Sequence, residues 1–202
     1  MRLWLELSSV PDEFVLYGET ALALHLGHQN SVDFDFFGDR PLRQAELETE
    51  LPFMAGAKII QRERNTLSAI VDRGGPVKVS FFGGLSLGRV GEVSASEDTG
   101  VRVASLLDLA AQKVRVVQVR AERKDYADLL TLMQHGIPLT RALGAARALY
   151  PDFAPVISLK ALSYFADGDL GSLPADAKAA LSRAAEGVRA TDDVPLLNER
   201  LT

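Results

Sequence analysis

Short runs of β-branched and aromatic residues dominate the first half of the chain: Phe14 to Tyr17, Val32 to Phe37, Ala57 to Arg62, Leu67 to Asp72 and Val77 to Phe82, separated by Gly, Pro, Asn and Asp. Runs so punctuated predict strands. Helical segments over about Glu19 to Leu26 and Leu42 to Leu51 are interposed, which makes this half a mixed sheet with helical cover. From Ser105 onward the apolar positions recur at helical spacing, in segments near 105–119, 122–135, 139–149, 155–166 and 174–187. His135-Gly136 reads as a C-cap, Pro138 and Pro151 as breaks, and Asp167-Gly168-Asp169 as a turn. The pattern predicts an α+β chain with a mixed-sheet half over 1–103, a helical bundle half over 104–188 and a flexible tail over 189–202.

One predicted strand carries two acids. On a strand alternate side chains face opposite ways, so Asp33 and Asp35 share one face while Val32, Phe34 and Phe36 share the other. Two carboxylates side by side repel, and one pKa rises unless a cation intervenes. Hard oxygen ligands on a rigid strand suit Mg²⁺, or Mn²⁺, which commonly takes one or two carboxylates plus substrate phosphates. The alternative is that both aspartates face water on an edge strand. Upstream, Tyr17-Gly18-Glu19-Thr20 follows a short strand and opens a helix, so free backbone amides there form an anion site. Strand, glycine turn, helix and Asp-x-Asp strand together bring phosphates to metal-binding carboxylates.

Three stretches, "LYGETALALHLGHQNSVDFDFF", "VKVSFFGG" and "LAAQK...RKDYADLL", resemble the nucleotidyltransferase superfamily, and within it the AbiEii/AbiGii toxin-like group. The resemblance implies a nucleotidyltransferase-like sheet half. It implies transfer of a nucleoside monophosphate from a nucleoside triphosphate to an acceptor hydroxyl, an RNA such as a tRNA end, and an antitoxin partner. By that resemblance Asp33 and Asp35 are the metal ligands and Gly18 allows close approach to phosphate. Glu19, Thr20, Ser31, Lys78, Ser80 and Lys124 complete the expected nucleotide-binding set. Two positions depart from the family pattern. Glu19 stands where a second small residue is usual, and Ser80 stands where many members carry a third carboxylate. Serine can hydrogen-bond or ligate weakly but cannot act as a general base, and Asp72, the possible substitute, reads as a turn residue. These departures keep open a catalytically degenerate protein that binds nucleotide or a partner; a structural subunit, whose charged core pairs only hold helices together, is a second alternative.

The helical half contains charges on apolar arcs. At roughly 100° per residue, Lys113 falls within the arc of Leu106, Leu109, Ala110, Val114 and Val117. On the next helix Asp125 lies inside the arc of Tyr126, Leu129, Leu130, Leu132 and Met133, with Asp128 at its edge. Buried charges persist only when paired or ligand-bound. Either Lys113 and Asp125 pair and lock the helices together, or they line a cleft against the sheet half, where Lys113 neutralises triphosphate charge and Asp125 or Asp128 positions it or takes the acceptor proton. Lys124 is expected to face solvent. His25, His28 and His135 lack zinc-like spacing and read as surface or capping residues.

Composition narrows the classes. The absence of cysteine excludes disulfides, thiolate catalysis and sulfur-bound metals and fits a reducing cytoplasm. No apolar run reaches the length needed to cross a bilayer. A net charge of -5 argues against a general nucleic-acid coat. The basic run from Lys113 to Lys124 reads first as a solvated helix surface.

Overall fold

The computed structural model describes residues 3–27 and 33–201, so the candidate residue Ser31, with His28 and Val32, lies outside the described residues. Two compact units divide the chain: Met1–Gly88, Glu92–Ser105 and Asn198–Thr202 form one, and Arg89–Gly91 with Leu106–Leu197 form the other.

The first unit holds a seven-stranded mixed sheet. Its strands are β1 (Val15–Tyr17), β2 (Phe34–Phe37), β3 (Lys58–Glu63), β4 (Thr66–Asp72), β5 (Pro76–Phe82), β6 (Ser94–Ala95) and β7 (Arg102–Val103). They lie in the order β3-β4-β5-β2-β1-β7-β6. Every strand expected from the pattern forms. The two-residue strands β6 and β7 were not foreseen, because so short a segment has no alternation to read. β2 runs parallel to β5 and antiparallel to β1, while β3, β4 and β5 form an antiparallel meander.

Alternation on the central strands sorts the chemistry. Phe34 and Phe36 of β2, Val79 and Phe81 of β5, and Leu67 and Ala69 of β4 share one face by register and are buried. Phe36 stacks on Phe81 at 5.2 Å, and Phe14 meets the same ring edge-on at 5.1 Å. Each such ring contributes about 1.5–3 kcal/mol by leaving water, so this face anchors the sheet. Asp35, Ser80 and Ser68 occupy the other face. The β4–β5 turn is held by Asp72, whose Oδ1 accepts the Gly74 and Gly75 N–H groups at 2.9 and 3.0 Å. Those backbone donors hold the Asp72 carboxyl below its ordinary range. Helices α1 (Gly18–Leu26) and α2 (Gln44–Glu50) complete the regular elements of this unit. α1 stops at Gly27, which adopts φ 63° and donates its N–H to the Ala23 carbonyl at 2.7 Å.

The second unit consists of helices α3 (Leu106–Val116), α4 (Arg123–Gln134), α5 (Leu139–Leu149), α6 (Pro155–Ala161) and α7 (Ala175–Gly187). All five were predicted, but α6 is shorter than its periodic segment. After Ala161 the chain tightens, with Ser163 N–H bonded to the Lys160 carbonyl and Tyr164 N–H to the Ala161 carbonyl. The Asp167-Gly168-Asp169 turn forms, with Gly168 at φ 55°. Asp169 accepts the Arg123 N–H at 2.6 Å and so serves the first turn of α4 from a distant position. Gly136, at φ 91°, ends α4, and the Ile137 N–H returns to the Leu132 carbonyl. Residues 189–197 contain no helix or strand, yet Asp192 N–H bonds the Thr140 carbonyl and Thr191 accepts from Arg147 at 2.7 Å.

Candidate active site

Strand β1 enters helix α1 through Gly18, at φ 75°. An L residue pays steric strain there. A Cβ at Gly18 would also stand 3.0 Å from Asp35 Oδ2, so the glycine lets the helix start close against this carboxylate. Two further ties set the turn against the acidic strand. Tyr17 lies opposite Asp35 in the β1–β2 register, and the Thr20 hydroxyl donates to the Asp33 carbonyl. Thr20 is buried by that bond, while Glu19 in the first turn of α1 is half-buried.

β2 begins one residue after Asp33, so Asp33 stands just before the strand and is exposed; Asp35 is half-buried within it. Among the described residues no group of three or more acidic or histidine side chains gathers to hold a metal. Asp33 and Asp35 nevertheless fit a hard divalent cation that completes its shell with substrate oxygens and water. The missing side chain of Gly18 lets the start of α1 come close to Asp35 Oδ2.

Ser80 lies directly beside Asp35 in the parallel β2–β5 register, at the position where a third carboxylate was looked for. It is fully buried, and its Oγ accepts from Ser68 Oγ at 3.1 Å. Ser68, paired with Ser80 across β4 and β5, escaped sequence reasoning because one serine in an apolar strand has no distinctive spacing. Lys78, two residues before Ser80 and hence on the same face, is half-buried.

In the helical unit Lys113 is buried and its Nζ sits 2.9 Å from Asp125 Oδ1 and 2.5 Å from Asp128 Oδ2. Arg120 adds its Nε at 2.7 Å from Asp125 Oδ2 and Nη2 at 3.0 Å from Oδ1. Burial alone would lower the Lys113 pKa, but the charges of Asp128 and Asp125 reverse this and hold it above its ordinary value. Burial would likewise raise Asp125, and hydrogen bonds from Arg120 and Lys113 together with their charges hold it below. Lys113 and Asp125 thus favour each other's charged forms despite their burial. Arg120 was legible only as one member of a basic run, since its reach to Asp125 depends on how the chain turns between α3 and α4. Lys124 is exposed, with Nζ 3.7 Å from Glu122.

Asp108 was not anticipated. It is buried and accepts the Val90 and Gly91 N–H groups at 2.8 and 3.1 Å, tying residues 89–91 to α3. An acid in the first turn of a helix is ordinary, which hid its role. His25 Nε2 bonds the Ala104 carbonyl at 2.8 Å, and His135 Nδ1 bonds the Thr131 carbonyl at 2.8 Å.

Comparison with known proteins adds the family. A crystal structure from H. pylori, provisionally assigned as a nucleotidyltransferase, superposes with a TM-score of 0.56 at 19% identity over 91% of this chain and 90% of that one. An antigenic nucleotidyltransferase-like protein from Paracoccidioides brasiliensis gives 0.50 at 15% identity over 90% and 87%. At these identities the likeness establishes the fold. An uncharacterized protein of Aquifex aeolicus, aq_aa25, is 28% identical over 159 residues, which is 77% of this chain and 75% of that protein. The sequence profile described as "Nucleotidyl transferase AbiEii toxin, Type IV TA system" matches residues 2–195. With nearly the whole length matched, the chain belongs to the AbiEii family of nucleotidyltransferase toxins.

Proposed function

We propose that the protein moves a nucleoside monophosphate from a nucleoside triphosphate to a hydroxyl acceptor, an RNA such as a tRNA end, with Asp33 and Asp35 holding Mg²⁺ or Mn²⁺. The observation that carries this reading is the approach of Gly18 to Asp35, 3.0 Å from a would-be Cβ to Oδ2. It brings the start of α1 to the carboxylate that this reading assigns to the metal. When bound, the ion would offset triphosphate charge and orient the transferred phosphoryl group. The residues of the chain do the rest. The first amide N–H groups of α1 donate to a phosphate oxygen, and Lys78 supplies further cationic charge to the nucleotide. Asp125 and Asp128 keep Lys113 protonated and fixed, so in this reading they are positioning residues. Membership of the family supports a cytoplasmic setting and an antitoxin partner.

A second reading, nucleotide or partner binding without turnover, is favoured by Ser80: the residue beside Asp35 is a buried serine already bonded to Ser68. One experiment separates the two. The purified protein is incubated with each labelled nucleoside triphosphate, Mg²⁺ or Mn²⁺ and total RNA, and label is followed into RNA and into protein. Incorporation supports the transferase and names its acceptor; binding of triphosphate with no incorporation selects the second reading.

A further inference from the structure

A cavity of about 440 Å³ lies away from Asp33 and Asp35, beyond the opposite end of β2. Four residues of extended chain, about 13 Å, separate Asp35 from Asp39, the first acid on its wall. The pairing of β2 with β5 continues past the strands here. Gly38 N–H bonds the Phe82 carbonyl at 2.8 Å, Leu85 N–H the Gly38 carbonyl at 3.1 Å, and Gly84 N–H the Arg40 carbonyl at 2.6 Å. Gly83 is required by this close approach, because a Cβ on it would come 2.7 Å from the Arg40 carbonyl oxygen. The wall is therefore built on paired backbone rather than on a single loop. Its size falls in the range of small-molecule sites, about 300–1,000 Å³.

Charge of both signs lines the cavity: Asp39 and Glu199 on one hand, Arg40 and Arg200 on the other. Asp39 Oδ1 is buried and meets no hydrogen-bond donor among the described residues. A buried carboxylate oxygen without a donor is costly, and a turn of the Asp39 side chain toward a ligand N–H in the cavity it lines would satisfy it. Arg40 Nη1 lies 3.4 Å from Glu13, whereas Arg200 is exposed at the rim. A ligand bearing only a cation would meet two arginines, and one bearing only an anion would meet two carboxylates.

We propose that this cavity binds a small zwitterion, with its N–H cation on Asp39 and its anionic group at Arg200. The site is separate from the transferase face, and the proposal stands whether or not the chain transfers nucleotides.

The test is an amide-resolved NMR titration of the full chain. The probes are two zwitterions of different charge spacing, glycine and 4-guanidinobutyrate, with butylguanidinium and butyrate as singly charged controls. The expected result is saturable shifts at residues 38–41 and 85–87 for at least one zwitterion, at concentrations at least tenfold below either control. Asp39→Asn should abolish them. Arg200→Ala, an exposed substitution that leaves the fold intact, should weaken the zwitterion to the level of the singly charged cation. The proposal is overturned if neither zwitterion gives saturable shifts, if the controls bind as well, or if binding survives both substitutions.

Discussion

Gly18 and Asp35 are in contact range across the β1–β2 pair: a methyl group on the glycine would stand 3.0 Å from the aspartate Oδ2. That one approach ties the helix-opening turn to the acidic strand. It also requires glycine for two independent reasons, the positive φ of 75° and the missing side chain.

Replacing Gly18 should accordingly cost stability and function together. Gly18→Ala is expected to lower unfolding free energy by about 1–2 kcal/mol, the strain of a left-handed conformation for an L residue, and to weaken triphosphate binding. Urea unfolding and equilibrium dialysis measure the two effects. Unchanged stability would mean that the turn relaxes without strain.

Ser80 offers the converse substitution. It pairs with Asp35 in the parallel register, so Ser80→Asp sets a second carboxylate beside Asp35 in a buried position. In EDTA this variant should melt below the wild type, because like charges repel. Mg²⁺ should raise its melting temperature more than that of the wild type. Equal responses to Mg²⁺ would place the cation elsewhere.

The buried ion group of α3 and α4 predicts a large structural effect. Lys113→Met leaves Asp125 with Arg120 but removes the cation 2.5 Å from Asp128. Removing one partner of a buried pair costs about 3–5 kcal/mol, readable by denaturant unfolding. A loss below about 1 kcal/mol, the value typical of exposed pairs, would contradict the burial described for this group.

Two pH effects of opposite direction follow. Despite its burial, Asp125 is held below its ordinary pKa by Arg120 and Lys113. Its contribution is therefore present above the unfolded carboxylate value, about 3.9, and is lost as pH falls from there through the folded pKa. Asp125→Asn should be less stable than the wild type at neutral pH, with the gap closing on acidification below that value. Tyr150 behaves in reverse. Burial pushes its phenol up to about 12, so stability falls as pH rises from the ordinary tyrosine value, about 10, through the folded one. Ultraviolet titration of phenolate should show Tyr150 ionising late, and Tyr150→Phe should reduce the alkaline loss by the part that Tyr150 contributes.

The strands from β1 to β5 were legible as β-branched and aromatic runs bounded by Gly, Pro, Asn or Asp, and the five helices of the second unit by the helical spacing of their apolar positions. β6 and β7 were not, at two residues each. Lys113, Asp125 and Asp128 announced themselves by interrupting apolar arcs, and the pairing of Lys113 with Asp125, one of two readings open at that stage, is present at 2.9 Å. Arg120 and Ser68 could not be assigned their partners, since both meet them through tertiary geometry that no local spacing encodes. Asp39 was invisible for the same reason: the cavity it lines is completed by Glu199 and Arg200 from the far end of the chain.

The central claim is that Asp35 and Asp33 carry nucleotidyl transfer. The most direct measurement compares label transfer from a nucleoside triphosphate by the wild type and by Asp35→Asn, a substitution that keeps the shape of a half-buried side chain, at matched folded concentration. The account predicts Mg²⁺- or Mn²⁺-dependent transfer that falls by about a hundredfold or more in the variant, the scale for loss of a group stabilising transition-state charge. Transfer that persists undiminished in Asp35→Asn would contradict it.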